Sequence, residues 1–498
     1  MKTSSRLAAV FLANLLFAGV SATAAPRFPA PAAFRRGPLQ VSPDGRSLVY
    51  RDGTPFFYLA DTAWELLHRL SRADITRYLS DRASKGFNVV QVVVLPELNL
   101  TVPNMEGNLP LHNMDPRQPN EAYFALVDFL VVQAHRRGMF VALLPTWGSY
   151  AVKETHVLFP DFHLFKADNL EIPRAWGHFL AARYRAAPNI IWVLGGDRSP
   201  VGYEAVWRAM AQGIGAAEST PGSVHKLITY HPTGGSSSGQ HLHAEPWLSF
   251  NMVQSGHDRN SKPWVLLGQD FERLPRKPVL NGEPGYENIP NNLKDEGDRL
   301  DVDDVRRLAY ASVFAGGCGH TYGAAEIWQM WSPAVEPLAT RVPLKGPLLG
   351  ANVPWHQAMA FPGASQMRHL RALVESRPFL TRVPDQTLLL APVGSEAPAQ
   401  AQALRDSAGR SLMVYVPSPN TIVRVRLSDL RAQSVNAWWY DPRKGSAKQL
   451  FLGRPKSEYL DVTAPTEGPD WVLVVDDSRA GLPPPGQAAF REKSHARP

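Results

Sequence analysis

Two acidic residues stand where short apolar runs end. Asp197 closes Asn189-Ile-Ile-Trp-Val-Leu-Gly-Gly-Asp, and Glu283 closes Lys277-Pro-Val-Leu-Asn-Gly-Glu. Each run has the length and apolar content of a buried strand, and each opens into glycine- and proline-rich turn chemistry. Such a pair is the minimum equipment for cleaving a glycosidic bond: one acid protonates the departing oxygen while the other stabilises or traps the cationic sugar. Carboxyls ~5–5.5 Å apart act with retention, whereas a gap of ~6.5–9.5 Å admits a water and inverts. The competing reading is structural, with Asp197 pairing Arg198 or either acid capping a helix. One acid alone would be read that way; two at opposite sides of one barrel mouth favour catalysis.

The elements that must position them alternate along the chain. Strand ends fall near Asp61, Pro96, Pro145, Asp197, His231, Gln254, Glu283 and Tyr322, eight in all. Amphipathic helices are expected between them, near 72–85, 120–137, 174–186, 203–217 and 303–315, with a last one at 366–376. Eight strand/helix alternations predict a (β/α)8 TIM barrel, which gathers its site from the ends of its strands. Asp197 then ends the fourth strand and Glu283 the seventh. Retaining barrel glycosidases often use those two positions, so Asp197 is assigned as general acid/base and Glu283 as nucleophile. Asp197 needs a raised pKa to remain protonated near neutrality.

Beyond about Pro384 the texture changes to short strands at Leu388–Leu390, Leu412–Val416, Ile422–Leu427, Asn436–Tyr440 and Trp471–Val475, which predict a small C-terminal β-sandwich. The expected organisation is a signal peptide at 1–24, a catalytic barrel at 25–383, the β-sandwich at 384–477 and a disordered tail at 478–498. At the N-terminus, Lys2 and Arg6 precede an apolar stretch from Leu7 to Val20, and small residues follow it to Ala25. That pattern is a secretory signal cut after Ala24, too short in its apolar core for a membrane anchor. No later stretch is long and apolar enough to span a bilayer, so a periplasmic or secreted protein is expected.

Around the acid pair, Asp61, Trp64, Trp147, His231, Asn251, Gln254, Tyr286 and Tyr322 are candidate substrate-binding residues at the same barrel end. Sugars present apolar faces ringed by hydroxyls, and mixed aromatic and polar linings suit them. Any single one of these could equally be packing beneath a loop. Glu97, Asp270 and Glu326 compete as acids in loop positions, and His257 joins the polar cluster. His241 and His243, with His231 and His257 nearby, raise a metal site, but their loop offers no fixed third ligand. No metal and no cofactor are expected. The single cysteine, Cys318, excludes an intramolecular disulfide and is expected buried. A net charge of +7 over 498 residues is mild, and no basic stripe interleaved with aromatics points to nucleic acid.

Several segments together resemble a known family. Phe56-Phe-Tyr-Leu-Ala-Asp-Thr-Ala-Trp64, Gly86-Phe-Asn-Val-Val-Gln91, Trp192-Val-Leu-Gly-Gly-Asp197, Asn251-Met-Val-Gln-Ser-Gly-His257 and Asn281-Gly-Glu-Pro-Gly-Tyr-Glu287 resemble the apiosidase-like catalytic domain of glycoside hydrolase family 140. Ala437-Trp-Trp-Tyr-Asp-Pro-Arg-Lys-Gly445 and Asp470-Trp-Val-Leu resemble the small β domain, described as collagen-binding, that often follows it. The resemblance implies a (β/α)8 barrel whose catalytic acids are the Asp of Gly-Gly-Asp and the Glu of Asn-Gly-Glu-Pro, which are Asp197 and Glu283 here. It further implies a retaining hydrolase that releases apiose from pectic polysaccharide, the rhamnogalacturonan II side chains. Two alternatives stay open: an exo-acting arabinofuranosidase-type enzyme, and a non-catalytic protein that binds extracellular polysaccharide or matrix.

Overall fold

The computed structural model describes residues 31–152, 162–294, 297–335, 346–390, 394 and 397–487. The expected signal peptide lies outside them. Eight parallel strands form the centre: β1 (Tyr58–Thr62), β2 (Val89–Val93), β3 (Phe140–Leu144), β4 (Ile190–Gly195), β5 (Ile228–His231), β6 (Asn251–Gln254), β7 (Val279–Glu283) and β8 (Gly319–Tyr322). Their ladder runs β5-β4-β3-β2-β1-β8-β7-β6, and the two-residue strand Ser236–Ser237 adds antiparallel to β6 as a ninth. Ser249 N–H donating to Ile228 O at 2.7 Å draws β5 and β6 together and nearly closes the barrel. The strands are buried throughout, as a sheet covered on both faces requires.

Helices α1 (Arg72–Ser84), α2 (Glu121–Arg136), α3 (Glu171–Arg183), α4 (Glu204–Glu218), α5 (Pro263–Glu272), α6 (Val302–Phe314) and α7 (Pro362–Glu375) wrap the barrel. Local chemistry sets their starts. Ser71 and Asn120 accept hydrogen bonds from the first turns of α1 and α2, and Asp301 with Asp304 forms a capping box on α6. Proline begins α5 and α7, where its missing N–H is harmless. Helix α5 was not among the sequence expectations: its apolar Trp264–Leu267 run is short and Gly268 interrupts it.

The C-terminal part is an antiparallel six-stranded sheet facing a two-stranded one. The strands are β9 (Arg382–Pro384), β10 (Gln402–Asp406), β11 (Ser411–Val416), β12 (Ile422–Arg426), β13 (Ser434–Asp441), β14 (Ser446–Pro455), β15 (Tyr459–Thr463) and β16 (Trp471–Asp477). β12 pairs with β15, and the six others run β9-β10-β11-β16-β13-β14. Leu412, Val414, Trp439, Leu473 and Val475 pack with Val423, Val425 and Leu460 between the sheets. The expected strand at Leu388–Leu390 is instead a 3-10 turn, Gln386–Leu388, because the Asp385 carboxylate accepts the Thr387 N–H and closes it.

The other face of the large sheet rests on the barrel. Tyr415 stacks on Tyr310 of α6 with ring centroids 5.0 Å apart. Beside them Arg306 grips Asp470 through two hydrogen bonds of 2.8 and 2.7 Å, and Tyr415 Oη donates to the same carboxylate at 2.9 Å. Residues 478–487, expected within a disordered tail, are instead held in place, and the rest of that expected tail lies outside the described residues. Pro483 O accepts from Arg377 at 3.0 Å and Gly486 N–H donates to Ser376 Oγ at 3.0 Å, which seats residues 478–487 over the end of α7. Among the described residues no helix is long and apolar enough to cross a membrane.

Arg306 and Asp470 are both buried, so removing either strips a buried charge of its two-bond ionic partner in a low-dielectric interface. Arg306→Ala and Asp470→Ala should each cost about 3–5 kcal/mol in urea unfolding. The double variant should lose clearly less than the sum, the mark of a direct coupling. Additive losses would show that the two parts do not depend on this pair.

Candidate active site

Three consecutive residues leave β4 with positive φ: Gly195 at 84°, Gly196 at 121° and Asp197 at 52°. A side chain at Gly195 would strike His231 O and the Tyr230 ring, and one at Gly196 would strike Gly148 N and the Trp147 indole. The two glycines therefore let the chain turn tightly enough to deliver Asp197, itself strained, over the barrel mouth. Arg198 Nη1 holds the Asp197 carboxylate at 3.0 Å and its carbonyl at 2.7 Å. The Asp197 side chain remains 35% exposed, open to a cavity of about 500 Å³.

Glu283 reaches the same cavity by a different device. Asn281 turns outward to Ser312 of α6 at 3.0 Å, and strict strand alternation would turn Glu283 outward too. The register slips at that point: Val253 pairs with Asn281, but Gln254 pairs with Glu283 rather than Gly282. The bulge re-aims Glu283 into the mouth beside Gln254. There His257 Nε2 stands 3.1 Å from Oε1 and His231 Nε2 stands 3.0 Å from Oε2.

His231 connects the two acids. Its Nδ1 accepts the backbone N–H of Asp197 at 3.2 Å, which leaves the ring proton on Nε2, facing Glu283. The ring is wholly buried and wedged between Trp64 and Trp147, with centroids 5.4 and 6.2 Å away. Burial pushes the Glu283 carboxyl up, but the two imidazoles outweigh it and hold it down at about 2. Asp197 moves the opposite way: burial and then the Glu283 charge raise it, only partly offset by Arg198, His231 and the Gln254 amide. One acid is pushed toward the ionised form and its neighbour toward the protonated form, the direction that acid/base chemistry requires.

Of the other expected site residues, Trp64, Trp147, Gln254 and Tyr286 line this cavity. His231 does not; it supports Glu283 from beneath. Asp61 and Tyr322 are corrected. Both sit on the outward parity of neighbouring strands, paired in register, and point into the helix layer. Asp61 forms a buried ion pair with Arg82 Nε at 2.6 Å and accepts from Tyr78 Oη at 2.6 Å, while Tyr322 Oη donates to Glu287 at 2.6 Å. Asn251 is corrected as well. β6 starts at Asn251, so this residue lies at the opposite end of the strand from the mouth, its amide on His243 Nδ1 at 3.0 Å. His243 Nε2 meets Pro275 O at 2.8 Å, which occupies both nitrogens of one histidine from the metal reading. Cys318 is buried, and its thiol is pushed up to about 12.

Among the competing acids, Asp270 is engaged by Ser237 and Arg273, and Glu326 accepts from Asn288 at 2.7 Å. Glu97 does line the cavity, together with His257, Asp258, Trp328 and an aliphatic wall of Leu98, Ile289, Leu293, Leu348 and Leu349. Asp258, Trp328 and the aliphatic wall were missed because they come from loops whose course only the folded barrel decides. Glu97 and His257 were already legible in the sequence, one as a competing acid and the other as part of the polar cluster.

Residues 42–381 match the family model described as "Apiosidase-like, catalytic domain", and residues 383–476 match "Putative collagen-binding domain of a collagenase". Among solved structures, the chain is similar to a glycoside hydrolase family 5 protein from Bacteroides vulgatus ATCC 8482. The two share 30% identity over 93% of this chain and 98% of that one, with a TM-score of 0.81. A second structure, described as a glycoside hydrolase, shares 32% identity over 90% and 99% of the two chains, with a TM-score of 0.79. No curated protein sequence matches the chain.

The raised Asp197 pKa means the native state holds a proton there that the unfolded chain releases. Its contribution to stability is present below the ordinary carboxylate range and is lost as pH rises through the folded pKa. Asp197→Asn removes that penalty. It should raise Tm by a few degrees at pH 7, a gain that shrinks toward pH 3. Equal melting temperatures for both proteins at pH 7 would contradict the like-charge repulsion.

Proposed function

Because the chain belongs to the apiosidase-like family and is a glycoside hydrolase, we propose that it is an exported retaining enzyme releasing apiose from rhamnogalacturonan II side chains. The single observation that carries the mechanism is the opposed displacement of two carboxyls on one cavity, Glu283 downward and Asp197 upward. Asp197, protonated, donates to the departing glycosidic oxygen while the Glu283 carboxylate attacks the anomeric carbon. The covalent bond neutralises Glu283, so the charge that raised Asp197 disappears and its pKa falls. Asp197 is then a carboxylate able to take a proton from the water that frees the sugar.

The preference for apiose rests on the family description and on the resemblance of the Gly-Gly-Asp and Asn-Gly-Glu-Pro segments to family 140. Trp64, Trp147, Tyr286 and Trp328 suit the apolar faces of a sugar. Export rests on the basic and apolar N-terminal segment with its small-residue end. Periplasmic or secreted placement would put the enzyme where such polysaccharide is met.

Incubation with a panel of pectic oligosaccharides should release free apiose. Proton NMR of the first minutes of reaction should show the product anomer matching that of the substrate. Release of a different monosaccharide would reassign the substrate, and the opposite anomer would replace nucleophilic attack by water. Asp197→Ala and Glu283→Ala should each lower kcat by about 10²-fold or more.

The pH profile follows from the same two groups. Activity should need Glu283 ionised, from about pH 2 upward, and Asp197 protonated, so kcat/KM should fall on the alkaline side. His257→Ala withdraws one of the partners that depress Glu283 and should move the acid limb upward. An unmoved limb would mean that Glu283 does not govern it.

A further inference from the structure

A third carboxyl in the cavity is built into place more firmly than a loop residue needs to be. Glu97 follows β2 in the segment Pro96-Glu97-Leu98, and two buried side chains fix that segment's backbone. Glu65 Oε1 accepts the N–H groups of both Glu97 and Leu98, at 2.9 and 3.1 Å. Tyr150 Oη donates to Pro96 O at 2.6 Å. Glu65 is itself only 1% exposed and is tied through its own N–H to the carbonyl of Trp328, another wall of the cavity, at 3.0 Å. A charged side chain buried to hold two backbone amides marks the conformation above it as one the fold enforces.

The Glu97 side chain faces the space shared with Asp197, Glu283, Trp64 and Trp147. Among the described residues none hydrogen-bonds its carboxyl. We propose that Glu97 is a substrate-binding residue that grips a free hydroxyl of the sugar undergoing cleavage. This rests on the glycosidase reading above and names how that site selects its sugar.

The chemistry of the cavity suits the role. Burial, then the neighbouring acids Glu65, Asp197 and Glu283, raise the Glu97 pKa well above the ordinary range. A neutral carboxylic acid offers one O–H donor and a carbonyl acceptor, matching a hydroxyl or a vicinal pair. A glycoside lacking that hydroxyl leaves a buried polar group unmatched and is rejected. Sugars methylated or deoxygenated at the position are therefore excluded, whichever furanoside is the natural substrate.

The probes are 4-nitrophenyl apiofuranoside, 4-nitrophenyl arabinofuranoside and their mono-deoxy analogues. Glu97→Ala should lower kcat/KM on the hydrolysed glycoside about 100-fold, and Glu97→Gln, which keeps a donor and an acceptor, about 10-fold or less. On one mono-deoxy analogue the native protein and Glu97→Ala should agree within about 3-fold, since the partner hydroxyl is already gone. An unchanged loss in Glu97→Ala on every analogue would show a merely structural role and overturn the proposal. Hydrolysis of neither furanoside by the native protein would count against the proposed function instead. Glu97 is then judged by calorimetric binding of 1,4-dideoxy-1,4-imino-arabinitol. A loss of about 10-fold or more in Glu97→Ala supports the proposal; equal affinity, or no binding to the native protein, overturns it.

Discussion

Two carboxyl groups sharing one cavity cannot both be ionised cheaply, and the site is organised around that repulsion. Coulomb energies grow as the local dielectric falls, so small differences in partners decide which acid keeps its charge. Glu283 has an imidazole at each oxygen, whereas Asp197 has Arg198 with smaller help from His231 and the Gln254 amide. His231 makes the arrangement directional. Accepting the Asp197 backbone N–H fixes its tautomer, and that tautomer turns a proton toward Glu283. Glu97 extends the same logic to a third acid, its pKa raised by burial and then by the neighbouring acids.

Holding such groups in register requires backbone that ordinary strands do not supply. The positive-φ turn at 195–197 and the bulge opposite Gln254 are both departures from ideal geometry, and both sit directly beneath a catalytic candidate. Their strain is borne by what surrounds them. The buried Asp61–Arg82–Tyr78 cluster locks α1 to β1, and the Tyr322–Glu287 bond ties β8 to the loop that follows β7. These outward-facing groups touch no substrate, yet they keep the strand ends from spreading. The six-stranded sheet works in the same sense from outside, one face sealing its own small core and the other pressed on α6.

Much of this was legible in the chain itself. Eight strand ends, most of the helices and the acid pair follow from apolar runs, periodicity and turn residues, because each is a local property of a few neighbouring side chains. The readings that needed correction share one cause. Asp61, Tyr322 and Asn251 were placed by their nearness to a strand end, but a strand end has two faces and a beginning as well as a finish. β14 escaped notice because an edge strand with most residues exposed carries no alternation. The expected strand at Leu388 became a turn because one aspartate closed it.

Residue identity alone therefore determined that two acids would stand on the fourth and seventh strands of a barrel. Only the tertiary structure decided which side chains face the cavity and which acid keeps its proton. Facing depends on a single slip in the pairing of β6 with β7. Protonation depends on through-space partners, above all His231 and His257, that come from different strands and loops. Fields in a low-dielectric cavity are set by distance, and distance between remote residues is written nowhere in the order of the chain.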